Sequence, residues 1–147
     1  MSVFQRILVA YDGSDDSQAA LELAISLTRD QGATLTLLSV VPDVPVAVTS
    51  ITTGAYDLGS VYAEMQQSAR ASIPDDVPVT VLLRHGSPAH AIAAAAADHD
   101  LVVMGTHGRG RIGEALAGSV SRAVVHSLHA PVLITRAPAG ADDTSTS

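Results

Sequence analysis

The sequence contains no cysteine and no lysine, and it has few aromatic residues. The absence of Cys excludes a disulfide framework, a thiol nucleophile and Cys-based zinc or iron–sulfur sites. All eight basic residues are arginine, which excludes a P-loop lysine, Schiff-base chemistry and a lysine general base. An anion bound by this chain must therefore be held by arginine, backbone N–H groups or hydroxyls.

The sequence also lacks an excess of positive charge and a long apolar run. Its formal charge of −7 and aromatic content of 3% argue against generic nucleic-acid binding, which needs a basic footprint and stacking aromatics. Its apolar stretches fall short of the roughly 18 to 20 residues that cross a bilayer. The first residues enter a strand-like run without the features of a signal peptide. We expect a cytoplasmic protein with no membrane association.

Five short apolar runs alternate with helical patterns along the 147 residues, a length that suits one domain. The predicted strands cover residues 6–11, 34–41, 79–84, 101–105 and 131–136. Near-continuous apolar runs are typical of parallel strands that are covered on both faces. Strands separated by helices predict an α/β fold with a mostly parallel sheet and helices on both sides.

Capping residues locate the helices between these strands. Ser14 is a predicted N-cap and Gly32 a predicted end for the first helix, while Ser87 and Pro88 are suited to open a later one. A further helix is predicted over residues 119–128. The predicted apolar faces are Ala20, Leu23, Ala24 and Leu27 on the first helix, and Leu58, Val61, Tyr62, Met65 and Ala69 on the second.

Two segments have no sustained period. The segment from Pro42 to Asp57 is predicted to be a long surface loop, and the sequence leaves open whether it is a solvated connector or a flap over a ligand. Residues 138–147 are polar and small, which predicts a flexible C-terminal tail after a domain of residues 1–137.

The segment "MGTHGRGRIGEALAGS", residues 104–119, contains two overlapping phosphate-binding patterns. Gly108, Gly110 and Gly113 spell G-x-G-x-x-G, the dinucleotide fingerprint. That fingerprint belongs in the first strand-to-helix turn, with an acidic residue about 20 positions further on. Here it follows the fourth strand, and Leu133 stands where the acid is needed. The dinucleotide interpretation therefore fails on context.

The second pattern is the wider spacing Gly105-x2-Gly108-x9-Gly118-Ser119. Gly105 ends a strand, and Gly118 and Ser119 fall where the next helix begins. Free N–H groups at a helix start, backed by the helix dipole, bind phosphate, and glycine lets the backbone approach closely. With the Ser119 hydroxyl and the charge of Arg109, this spacing predicts a phosphate cradle.

Three segments in order carry a resemblance to a known family that goes beyond the glycine spacing: "ILVAYDGSDDS", "VVMGTHGRG" and "GSVSRAVVHSLHAPVLITR". Together they resemble the universal stress protein family, in the ATP-binding subgroup with the pattern G-x2-G-x9-G-(S/T). The resemblance covers residues 3–136. It implies a five-stranded parallel sheet of order 3-2-1-4-5, with strands one and four adjacent at the topological switch point, where open α/β sheets bind ligands.

The resemblance also implies a nucleotide site and a partner. It places Asp12 near the adenosine and the backbone of Val40 against the adenine. The implied ribose and phosphate contacts are Gly105, Gly108, Arg109, Gly118, Ser119, Val120 and Ser121. ATP is the implied cofactor, with Mg²⁺ or Mn²⁺, and a homodimer is implied through the edge strand from Pro131 to Arg136, since an open apolar edge invites pairing.

The residues themselves leave alternatives open. Asp12 is also suited to be a turn residue before the first helix, and Gly118 with Ser119 to be a simple helix cap. We expect a nucleotide-dependent stress-response or signalling module, because no P-loop lysine and no general base at the terminal phosphate can be identified. A slow ATPase or nucleotide-dependent transferase is the alternative. A binder of AMP or a cyclic nucleotide is another.

Overall fold

The computed structural model describes residues 3–43, 57–106, 122, 128 and 130–137. These contain β1 (Arg6–Ala10), α1 (Asp15–Gln31), β2 (Thr34–Val41), α2 (Leu58–Ser72), β3 (Val79–His85), α3 (Pro88–Ala96), β4 (Leu101–Gly105) and β5 (Val132–Thr135). All strand pairs are parallel, and the order is β3-β2-β1-β4-β5. The α/β class and the predicted strand order are confirmed. None of the helices described is long and apolar enough to cross a membrane.

The two faces of the sheet bury different side chains, because successive residues of a strand point to opposite faces. One face packs against α1 and α2 and includes Ile7, Val9, Leu35, Leu37, Leu101 and Val103. The other face packs against α3 and includes Leu8, Leu38, Val40, Val102 and Met104. The central strands are thus buried on both faces, which explains their continuous apolar sequences.

The predicted helix ends are found in the structure. Ser14 caps α1 and accepts a hydrogen bond from the N–H of Ser17 at 3.2 Å. Gly32 ends α1 with a φ of 65°, a left-handed conformation that favours glycine. Ser87 caps α3 and accepts from the N–H of His90 at 3.3 Å, with Pro88 in the first turn. Local capping chemistry therefore determines where these helices begin and end.

The predicted buried face of α1 is wrong at Leu23, which is 36% exposed. The buried stripe is Ala20, Leu21, Ala24 and Thr28 instead, and Leu27 is only partly buried against it. A helix with leucines at both 21 and 23 has two overlapping apolar stripes. The rotation of α1 on the sheet decides which stripe is buried, and the helical period alone does not contain that information.

Gln66 is buried on α2, although the predicted apolar face of this helix does not include it. Tyr62 and Ala69 are buried as expected, but Gln66 lies between them with 4% exposure. Its amide donates to the carbonyl of Leu82 at 2.6 Å and to that of Leu37 at 3.3 Å. A buried amide needs such partners, and here it ties α2 to both β2 and β3.

The strands differ from prediction by one residue at four ends. β1 stops before Tyr11, β3 continues to His85, and β5 is shorter than the predicted run at both ends. Of the predicted helix over residues 119–128, Arg122 is helical, whereas Leu128 is not and packs against the α3-side core. Most of that helix, residues 44–56 of the predicted loop and the predicted tail lie outside the described residues.

Candidate functional site

The carboxyl ends of β1, β2 and β4 lie side by side at the point where the strand order reverses. β1 pairs with β2 on one side and with β4 on the other. The last β1–β2 pair is Ala10 with Leu38, and the last β1–β4 pair is Val9 with Val103. Asp12, Val40 and Gly105 each lie two residues beyond one of these pairs, so the structure brings them to one edge of the sheet. We call this edge the crevice; it is where open α/β sheets bind ligands.

The direction of backbone groups in β2 bears on the predicted role of Val40. The N–H of Tyr11 donates to the carbonyl of Leu38 at 2.8 Å, whereas the N–H of Gly86 donates to that of Val41 at 3.0 Å. Alternate residues of β2 therefore point toward β1 and toward β3. Val40 has the same parity as Leu38, so its N–H and C=O point to the β1 side, beyond the last β1–β2 pair. These groups face the crevice.

Asp12 begins a short hydrogen-bonded turn that leads into α1. Its Oδ1 accepts from the N–H of Ser14 at 3.0 Å, and its own N–H donates to the Ser17 hydroxyl at 3.2 Å. The Ser17 hydroxyl in turn donates to the carbonyl of Ser14 at 3.0 Å. Asp12 thus has the turn role that the sequence left open as an alternative. That role fixes its position at the mouth of the crevice, and a contact between Asp12 and an adenosine stays a prediction.

Gly105 has a packing reason to be glycine. A Cβ at this position would lie 2.8 Å from C and Cβ of Asp16 and 2.9 Å from N of Ser17. Such distances are shorter than real Cβ contacts, and two of the three atoms are backbone. The end of β4 therefore lies directly against the first turn of α1. A phosphate or ribose contact by Gly105 stays a prediction.

Asp16 and Thr135 join the first turn of α1 to the end of β5. The Thr135 hydroxyl donates to the carbonyl of Asp16 at 3.0 Å, and the N–H of Ala137 donates to Oδ1 of Asp16 at 2.6 Å. The carbonyl of Thr135 accepts from both the N–H and the hydroxyl of Thr106, at 2.8 and 2.9 Å. Sequence reasoning missed this cluster because its members are about 120 residues apart, and no local pattern relates them.

The remaining predicted site residues lie outside the described part of the chain: Gly108, Arg109, Gly118, Ser119, Val120 and Ser121. The structure thus brings together the predicted adenosine contacts and the first glycine of the cradle. The phosphate half of the site stays a prediction. Its predicted residues follow Thr106 in the sequence, and Thr106 itself is hydrogen-bonded to β5 through the contacts above.

A separate groove of about 570 Å³ lies between α3 and the outer part of the sheet. Small side chains on α3, among them Ala91, Ala94 and Ala95, leave Leu82 and Arg84 of β3 uncovered. Neither Asp12, Val40 nor Gly105 lines this groove. It is therefore distinct from the crevice, and the strand topology identifies the crevice as the better candidate site.

Comparison with known proteins identifies the family to which the fold belongs. The model of the universal stress protein family matches residues 4–136. This chain belongs to the universal stress protein family. A universal stress protein of Thermus aquaticus is 35% identical over 142 residues, covering 91% of this chain and 100% of the relative.

Solved structures of universal stress proteins share the fold. UspA from Lactobacillus plantarum has 27% identity and a TM-score of 0.72, and the match covers 92% of this chain and 100% of that one. A universal stress protein solved in complex with cAMP has 26% identity and a TM-score of 0.62, covering 93% of this chain and 100% of that one.

Some relatives in the family are longer. A universal stress protein of Mycobacterium tuberculosis is 31% identical over 140 residues, which is 88% of this chain but 45% of that protein. This universal stress protein chain therefore spans about half the length of the mycobacterial relatives that it matches.

Proposed function

We propose that this universal stress protein binds an adenine nucleotide, ATP in particular, in the crevice and acts as a nucleotide-dependent stress-response or signalling module in the cytoplasm. The observation that carries the proposal is the position of Val40. Its backbone N–H and C=O face the crevice beyond the last β1–β2 pair, at the switch point of the sheet. The backbone N–H and C=O of a single residue can pair with an acceptor and a donor on one edge of an adenine ring.

The charges near the crevice favour one orientation of the nucleotide. Asp12 lies at the mouth, Asp15 is exposed in the first turn of α1, and the carboxylate of Asp16 is buried close by. Carboxylates disfavour a polyphosphate at the start of α1. We therefore place the phosphates on the opposite side, against Gly108, Gly118 and Ser119, and the sugar hydroxyls near Asp12. The bound adenine contacts Val40.

A divalent cation fits this arrangement as a ligand of the nucleotide. Within the described ranges, no three His, Cys, Asp or Glu side chains gather as a metal site. Mg²⁺ commonly binds through substrate phosphates and one or two carboxylates rather than in an all-protein cage. We propose that Mg²⁺ or Mn²⁺ binds with the phosphates, where it would neutralise their charge.

The relative solved with cAMP favours a second candidate ligand. At 26% identity and a TM-score of 0.62 it shares the fold, and the match covers 93% of this chain. Recognition of adenine by backbone groups and of phosphate by N–H groups distinguishes poorly between nucleotides that differ in phosphate number. AMP or a cyclic nucleotide is therefore the alternative to ATP, on the same crevice.

The direct test identifies the ligand and then measures its affinity. The purified protein is denatured and any released nucleotide is identified by mass spectrometry. Stripped protein is then titrated calorimetrically with ATP, ADP, AMP and cAMP, with and without Mg²⁺. We expect ATP to bind most tightly and Mg²⁺ to strengthen it. Tighter binding of AMP or cAMP would support the alternative, and no binding at millimolar ligand would reject the site.

A matched pair of variants tests the glycine assignment. Gly118→Val should abolish phosphate binding by blocking close approach to the backbone. Gly110→Val makes the same substitution in the G-x-G-x-x-G pattern, which we do not assign to the nucleotide site. It should leave the affinity for ATP unchanged. Equal losses in the two variants would mean that the cradle is wrongly placed.

Phosphate release distinguishes a binding module from an enzyme. We expect turnover well below about 1 s⁻¹, the low end of ordinary enzyme rates. Turnover above this value, lost in Asp12→Ala or Ser119→Ala, would favour the alternative of an ATPase or transferase. An inactive protein that still binds ATP would support the proposed module.

The edge of the sheet at β5 is the proposed homodimer surface. Leu133 and Ile134 are 39% and 41% exposed on this outer strand. An open apolar edge strand favours pairing with a second copy, and the family resemblance implies β5, not β3, as the edge that pairs. Ile134→Arg should therefore shift the mass measured by light scattering from dimer toward monomer. Val81→Arg, at a 39% exposed residue of the opposite edge strand, is the control and should not.

A further inference from the structure

The loop that carries Asp12 is held by contacts that originate on β5. The Thr135 hydroxyl donates to the carbonyl of Asp16 at 3.0 Å, and the carbonyl of Met104 lies 3.5 Å from the same hydroxyl. A hydroxyl has one proton and donates one strong hydrogen bond, and the shorter distance favours the carbonyl of Asp16 as its acceptor. The edge strand therefore holds the first turn of α1 directly.

From Asp16 the contacts continue to the mouth of the crevice. The next residue, Ser17, is buried, and its hydroxyl accepts from the N–H of Asp12 at 3.2 Å while donating to the carbonyl of Ser14 at 3.0 Å. A movement of the first turn of α1 would thus move Asp12 with it. The lack of a side chain at Gly105 lets that turn lie against β4.

Thr106, which directly follows β4, is held by the same residue of β5. The carbonyl of Thr135 accepts from the N–H of Thr106 at 2.8 Å and from its hydroxyl at 2.9 Å. Thr106 is the last described residue before the glycine-rich segment. Thr135 therefore contacts the first turn of α1 through its hydroxyl and Thr106 through its carbonyl.

We propose that Thr135 is a positioning residue that fixes the separation between the Asp12 loop and Thr106, the residue that follows β4. This inference rests on the proposed nucleotide site for its effect on affinity. Thr135 does not contact the nucleotide; it acts through Asp16 and Thr106. Positioning of this kind contributes to affinity because a preformed site loses less conformational entropy when the ligand binds.

The test compares Thr135→Val, which removes the hydroxyl but keeps the shape, with Thr135→Ser, which keeps the hydroxyl. The matched control is Thr36→Val, which removes another partly buried Thr hydroxyl that lies 2.7 Å from Nε2 of His99, away from the crevice. Amide hydrogen exchange is measured without ligand, and ATP affinity by calorimetry.

In Thr135→Val we expect faster exchange at the amide of Asp12 and ATP affinity about fivefold weaker, the size of one ordinary hydrogen bond. Thr135→Ser should restore both, and Thr36→Val should lower thermal stability without changing either. Should Thr135→Val not fold, Thr106→Val, which removes one of the two bonds to the Thr135 carbonyl, should give a smaller loss of affinity in the same direction.

Two results would overturn the inference: wild-type exchange at Asp12 in Thr135→Val, or failure of Thr135→Ser to restore it. Because exchange is measured without ligand, these results are separable from the proposed function. A wild-type protein that binds no nucleotide would reject the nucleotide site, whereas the exchange data would still decide whether Thr135 positions the Asp12 loop.

Discussion

Replacement of Gly105 by alanine tests the close contact between β4 and α1. The added Cβ would lie 2.8 Å from two atoms of Asp16, whereas ordinary Cβ contacts are 3.4–4 Å. The first turn of α1 would have to move away by roughly half an ångström or more, against the hydrogen bonds from Thr135 and Ala137. Overpacking of this kind typically costs about 1–3 kcal/mol. For a protein of this size, each kcal/mol lowers Tm by about 2–4 °C.

The assay is thermal and urea unfolding of Gly105→Ala beside Gly59→Ala. At Gly59 a Cβ would lie 3.4 Å from Oδ1 of Asp57, an ordinary contact, and the position is helical. Alanine has a better helix propensity than glycine by up to about 1 kcal/mol, so Gly59→Ala should be neutral or stabilising. A Gly105→Ala protein as stable as the wild type would refute the packing argument.

Three further predictions concern stability. Leu21→Ala should cost about 2–5 kcal/mol in urea unfolding because Leu21 is fully buried, and Leu23→Ala should cost clearly less; equal costs would contradict the observed rotation of α1. Gln66→Glu places a carboxylate against two carbonyls, which raises its pKa, so its destabilisation relative to wild type should grow as the pH rises above about 4.3; a penalty independent of pH would contradict this. The Arg29 guanidinium holds the pKa of Asp76 below 3.8, so this pair stabilises the fold above about that pH and ceases to do so as the pH falls through the lowered value; the difference in Tm between wild type and Asp76→Asn should therefore vanish in acid and shrink in high salt.

The features that the sequence predicts well are those determined by neighbouring residues. Ser14 and Ser87 begin their helices and Gly32 ends one, through bonds made within one turn. The bounds of β2 and β4 coincide with their apolar runs, because strands buried on both faces need continuous apolar residues. Strand order follows from the resemblance and agrees with the structure.

The features that it misses depend on residues distant along the chain. Gln66 is buried because two strand carbonyls 16 and 29 residues away accept from its amide. Asp16 is an acidic residue in the first turn of α1, yet it is buried and accepts a hydrogen bond from the N–H of Ala137. The packing of Gly105 against α1 is equally non-local, since the close approach of β4 to α1 cannot be predicted from either segment alone.

The most direct test of the central claim maps the backbone amides that ATP perturbs in solution. Titration of isotopically labelled protein with ATP and Mg²⁺, followed by amide NMR, should shift the amides of Asp12, Val40 and Thr106 at the carboxyl edge of the sheet. The amide of Gln5, which donates to Asp100 at the opposite edge, should not move. The predicted result is saturable shifts confined to the carboxyl edge. Largest shifts near Gln5, or none at millimolar ATP, would contradict the assignment of the crevice as a nucleotide site.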